Sequence, residues 1–214
     1  MKTTITLLAA GFAVSAAHAQ IEYTAQDRWV EIQAFFPTGT QSDSRAADGF
    51  GLFDETLSAT LSDGAEGSAW AYAAQTSSLA SNGISVTGAA DGAAGPPVGM
   101  SAGVGRTSFM VGFTLTEAAA YTLDLDVMGE FASWSFQGPS LDIDRPLDFA
   151  VNEPGVHLTG TLDAGDYAFS IFLESGAAAQ GLGSNFAFNF NLVPAPGAAG
   201  LLAMGALAAT RRRR

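Results

Sequence analysis

The sequence predicts an all-β protein: an antiparallel β-sandwich of jelly-roll type, with a closed barrel as the alternative. An N-terminal signal helix precedes this body, and a short C-terminal hydrophobic helix follows it. Three observations carry the prediction. Apolar and polar residues alternate at period two in one stretch after another, clusters of Gly, Pro, Asp and Ser separate those stretches, and no long 3.6-residue periodicity occurs between the two ends. The chain has 214 residues, 48% of them apolar, enough for one well-filled core.

The N-terminus carries Lys2, an apolar stretch from Ile5 to about Ala16, and the small-residue pattern Ala17-His18-Ala19 before Gln20. This is the layout of a secretory signal cut by signal peptidase after Ala19, so residues 1–19 form the first segment. A dozen or so apolar residues is too short to span about 30 Å of hydrocarbon.

The body, residues 20–192, follows. Phe186, Phe188, Phe190 and Leu192 point to one face while Asn185, Ala187, Asn189 and Asn191 point to the other, as in a half-buried antiparallel strand. The same alternation groups Phe109, Val111, Phe113 and Leu115; Tyr121, Leu123, Leu125 and Val127; and Tyr167, Phe169, Ile171 and Leu173. Shorter candidates lie at 29–36, 56–61, 68–75, 84–87, 131–136, 141–143 and 156–162, giving about eleven strands. The turn Asp163-Ala164-Gly165-Asp166, with Gly165 free to take positive φ, predicts a hairpin over 156–174. The fragment GTLDAGDYAFSI at 160–171 is similar to the penultimate hairpin of many secreted bacterial jelly-roll modules. From Thr87 to Gly105 the chain has six Gly, five Ala and two Pro in nineteen residues, which predicts a long irregular loop.

The charge is uneven. The whole chain carries −12, but all 21 acids lie in the body against only Arg28, Arg45, Arg106 and Arg145, which leaves the body near −17 with no lysine. Such a body is no nucleic-acid binder, and it repels anionic surfaces unless divalent cations bridge the two. The absence of cysteine excludes disulfides, thiolate metal sites and a Cys nucleophile.

No catalytic residues are expected. Gly99-Met100-Ser101-Ala102-Gly103 has the spacing of a nucleophile elbow, with His157 downstream, but it lies in a Gly/Pro stretch without the strand-turn-helix that the chemistry needs. His157, the only histidine outside the signal, shares a face with Thr159 and Thr161 and reads as a surface residue. Asp124 and Asp126 share the outer face of one strand, and Asp142, Asp144 and Asp148 cluster around another. Two readings stay open for these carboxylates: solvated charges on an acidic surface, or a calcium site built from Asp124, Asp126, Asp142 and Asp144. No cofactor other than that calcium is called for. Trp29, Trp70 and Trp134 raise the possibility of an aromatic platform under sugar rings, with Trp29 and Trp134 as the candidate residues and core packing as the commoner fate of Trp.

Residues 193–214 read VPAPGAAGLLAMGALAATRRRR: a Pro-rich break, an apolar run from Gly197 to Ala209, and four terminal arginines. Thirteen helical residues rise about 20 Å, short for a stable span, and the arginines hold their end in the cytoplasm by the positive-inside rule. The order of motif, hydrophobic segment and Arg-rich tail resembles the PEP-CTERM sorting signal of Gram-negative bacteria. The sorting motif falls on Pro194, Ala195 and Pro196, with Ala195 standing where the family has Glu, and the cytoplasmic tail is Arg211, Arg212, Arg213 and Arg214. The resemblance implies an exosortase-type processing enzyme, transient insertion in the inner membrane, and delivery to the cell surface or an exopolysaccharide matrix. The expected function is structural or adhesive and not enzymatic; the alternative is a secreted carbohydrate-binding module, with extracellular polysaccharide as partner in either case.

Overall fold

The computed structural model describes residues 19–62, 67–95, 101–176 and 183–193, with the backbone alone at 130, 147–152 and 154. The compact body is Ala19–Val193. The expected signal at 1–18 and sorting segment at 194–214 lie outside the described residues. Among the described residues there is no helix, and ten antiparallel strands are joined in one ladder.

The strands are β1 (Ile21–Phe36), β2 (Gly39–Ala46), β3 (Phe53–Ser62), β4 (Ser68–Ala80), β5 (Gly83–Ala94), β6 (Ala102–Leu115), β7 (Ala119–Gly138), β8 (Leu141–Leu162), β9 (Gly165–Ser175) and β10 (Ser184–Val193). The hydrogen-bonded order is β2-β1-β6-β9-β7-β10-β5-β4-β3, with β8 on the far side of β7. The ladder folds into two facing layers. Val30, Ile32, Ala34 and Phe36 of β1 pack in one core with Leu57 and Ala59 of β3 and Ala69, Ala71 and Ala73 of β4, although β1 and β4 are far apart in the ladder. β7 makes the corner: residues 120–128 pair with β10 and residues 131–137 pair with β9. Its ladder to β8 is interrupted by irregularities at Leu125/Val127 and Ala132/Trp134, the kind of break that bends a strand.

The alternation read from sequence places the aromatic core. Phe109, Phe113, Phe136, Phe169, Phe188 and Phe190 are all fully buried, with Phe169 stacked on Phe188 at 3.8 Å between centroids. Burying side chains of this size stabilises the fold by about 2–3 kcal/mol each.

Several expectations are corrected. The segments expected at 121–127 and 131–136 form one strand, as do those at 141–143 and 156–162. The hairpin expected over 156–174 does not form: β8 pairs with β7, while β9 pairs with β6 and β7, so Asp163–Asp166 is a corner. Gly165 does take positive φ, at 141°. The Gly/Ala-rich stretch expected as a loop over 87–105 is mostly strand, its described ends belonging to β5 and β6. β2 was not expected, because its Thr, Gln, Ser and Asp residues are nearly all exposed and carry no alternation. Consecutive strands pair at β1–β2, β3–β4–β5 and β7–β8, while β1–β6, β6–β9, β9–β7, β7–β10 and β10–β5 are joined by crossovers.

The glycines explain the strands at 87–94 and 102–105. A Cβ on Gly103 would overlap the Trp70 carbonyl oxygen, and one on Gly105 the Tyr72 carbonyl oxygen, with the Asp91 oxygen 2.7 Å away. Here the layers meet backbone against backbone. Little room remains for side chains, and β4 is built accordingly: Ala69, Ala71 and Ala73 face inward, while Trp70 and Tyr72 face outward.

Candidate functional site: two outward aromatic faces

The first face lies on β1, β6 and β9. Val30 enters the core, so Trp29 faces out, half-buried, with its ring 6.1 Å from that of Phe172 at an interplanar angle of 57°. The register sets Trp29 between Ala46 and Ser108, and Ser108 opposite Phe172, so the residues flanking the indole across the strands are short. One row along, Arg106 lies between Glu31 and Glu174, with Nε 2.7 Å from Glu174 and Nη1 3.7 Å from Glu31. These groups are partly exposed, so the ion pairs contribute little stability.

Trp134 is not part of such a platform. It is 4% exposed, shares its inward face with Ala132 and Phe136, and its indole Nε1 donates to Glu153 at 2.8 Å. An apolar face on both sides of a Trp is the signature of core, and here it decides.

The carboxylates do not converge. Asp124 and Asp126 lie on the β10-paired half of β7, whereas Asp142 and Asp144 lie opposite Gln137 and Ser135 at the other end of that strand. Nine residues of chain separate Asp126 from Ser135, the partner of Asp144, a path of about 30 Å along a strand that turns a corner between them. Each of the first pair has its own partner: Asp124 accepts from or pairs with His157 Nδ1 at 2.5 Å, and Asp126 accepts the Gly155 amide at 2.5 Å. Among the described residues no three His, Cys, Asp or Glu side chains are grouped to hold a metal ion. The Asp148 side chain lies outside the description.

Ser101 is buried and donates to the Gly95 carbonyl at 2.7 Å, while His157 sits exposed on β8 beside Asp124. Neither partners the other. At the processing points, Ala19 is half-buried against the core and Gln20 is exposed; Ala17, the Pro194-Ala195-Pro196 motif and the arginine tail lie outside the described residues.

Two features go beyond the sequence reading, which raised Trp70 together with Trp29 and Trp134 but gave it no face. Trp70, 37% exposed, and Tyr72 form a second outward aromatic strip on β4. Its signal was present in the run Ala69-Trp70-Ala71-Tyr72-Ala73, whose alternation admits either face as the inner one. The other feature is Arg28, 1% exposed. Its Nε donates to Gln26 at 3.1 Å and Nη1 to Ser77 at 3.0 Å, Nη2 donates to the Gly49 carbonyl, and the guanidinium lies 5.8 Å from the Phe53 ring. Burial lowers its pKa from the usual value, partly offset by Tyr23. Tyr23, whose hydroxyl lies 2.8 Å from the Ala80 carbonyl and 2.9 Å from that of Gly83, has its pKa pushed well above the ordinary phenol range by burial. No family model, no curated protein and no solved structure matches the chain.

Proposed function

We propose that the chain is an exported protein of the cell surface or extracellular matrix, with a structural or adhesive body freed from a processed segment at each end. Signal peptidase cuts after Ala19, and an exosortase-type enzyme acts on the PEP-CTERM-like segment 193–214 after transient insertion in the inner membrane. One observation supports the reading above others: the two ends of the body leave it side by side. The Ile21 amide donates to the Ser81 carbonyl at 2.7 Å and the Leu192 amide to the Asn82 carbonyl at 2.8 Å, so the first and last strands are tied to one two-residue turn. A body held to one membrane through both ends needs them at the same pole. Deleting Arg211–Arg214 tests the reading: the variant is expected to be missorted and unprocessed at its C-terminus, and unchanged processing and localisation overturn it.

A second reading, favoured by the outward Trp29–Phe172 pair among short residues, is a carbohydrate-binding module. The two are compatible, because a matrix protein needs a surface that holds the matrix.

A further inference from the structure

We infer that the body carries a second glycan-binding face on its opposite layer, so that one molecule bridges two neutral polysaccharide chains. The inference rests on the carbohydrate reading of Trp29 and Phe172.

Trp70 and Tyr72 are adjacent outward residues of β4, about 6.7 Å apart along the strand. Across the strands the register places Thr60 and Ala93 beside Trp70, and Ser58 and Asp91 beside Tyr72. All four neighbours are short, and they leave Trp70 37% exposed and Tyr72 half-buried on the outer face. Further along lie exposed Thr56 and half-buried Ala74 and Ala89. The result is a strip of two aromatic side chains flanked by hydroxyls, with one carboxylate able to accept hydrogen bonds. Aromatic rings match the apolar faces of sugar rings, and the flanking polar groups match their hydroxyls.

The support beneath is stiff. Gly103 and Gly105 lie directly against the Trp70 and Tyr72 carbonyl oxygens, which fixes the backbone carrying both rings. A preset surface loses less freedom on binding than a mobile one.

The two faces point in opposite directions. Trp29 alternates with Val30, and Trp70 with Ala69 and Ala71; Val30, Ala69 and Ala71 meet in the same core. A sheet pair is about 10 Å thick between backbones, so a single extended glycan lying on one face does not reach the other.

Charge selects the occupant. The aromatic strip flanked by hydroxyls suits sugar rings, and a body with 21 acids, four arginines and no lysine repels polyanions, so among polysaccharides the uncharged ones are those it holds.

The test uses the exported chain as recovered from its producing cells, in native gels containing hydroxyethylcellulose, galactomannan or arabinoxylan, with alginate as the anionic control. The same solutions are followed by low-shear viscosity. Wild type is expected to be retarded in at least one neutral gel, not in alginate, and to raise the viscosity of that polymer. Trp29→Ala and Trp70→Ala are each expected to keep part of the retardation and lose the viscosity rise, and the double variant to lose both. Trp70→Phe, which preserves an aromatic face, is expected to retain most of the effect and guards against misfolding. If Trp70→Ala raises viscosity as wild type does, the second face is refuted while the carbohydrate reading stands. If wild type is retarded in no neutral gel, both fall.

Discussion

Gly103 of β6 lies so close beneath Trp70 of β4 that a methyl group on the glycine would overlap the tryptophan's carbonyl oxygen. That contact explains three things together: why a Gly/Ala-rich segment is strand, why β4 presents its large residues outward, and why its alanines line the core.

The first prediction follows from this contact. Gly103→Ala and Ala71→Leu each force the layers apart and are expected to destabilise the body by about 1–3 kcal/mol. Gly51→Ala, where a Cβ meets nothing within 4 Å, is expected to be close to neutral. Urea denaturation of the three variants checks the ranking.

Arg28 joins β1 to β4 through Ser77 and to the segment before β3 through Gly49. Lysine cannot reach three acceptors in those directions. Arg28→Lys is therefore expected to cost about 2–3 kcal/mol, with hydrogen bonds to charged donors in the range found for other proteins. The same denaturation measurement reads it, and a loss below half a kcal/mol would contradict the clamp.

The buried tyrosines set an alkaline limit. Burial raises the pKa of Tyr23 and also that of Tyr121, the latter with a further contribution from Tyr167, above the ordinary 10.0. A phenol whose folded pKa is raised contributes stability that is fully present below pH 10 and is lost as pH rises through the folded values. Melting temperature is expected to hold between pH 8 and 9.5 and to fall above 10.5, with a burst of phenolate absorbance on unfolding. Tyr23→Phe is expected to shallow that fall.

The aromatic assignments separate by effect. Trp29→Ala is expected to weaken glycan retardation about tenfold, equivalent to about 1.4 kcal/mol, with little change in melting. Trp134→Phe strands the Glu153 carboxylate from its indole donor and is expected to lower stability by about 1–2 kcal/mol while leaving retardation unchanged.

Most of the fold was legible where large apolar residues alternate with polar ones, as in Phe186 to Leu192, because such a strand has only one face it can bury. Legibility failed where side-chain size carries no signal. β2 is polar on both faces and pairs only with β1 in the ladder, and the glycines at 88–94 and 102–105 sit in strands where the backbone approaches closely across the core. The turn chemistry at Asp163–Asp166 was read correctly as to Gly165 φ, but a turn does not name the strand's partner, and β7 took both neighbours. The outward placement of Trp29 and His157 followed from alternation. The separation of Asp124 from Asp142 did not, since it depends on the register of β7 with β8 over the strand's whole length.

The central claim is that a β-structured body is released from address segments at both ends, which leave it at one pole. Mass spectrometry of the termini of the protein recovered from its producing cells tests this most directly. The account predicts an N-terminus at Gln20 and a C-terminus between Val193 and Gly197, without Arg211–Arg214. A chain that retains those arginines, or that still begins at Met1, contradicts it.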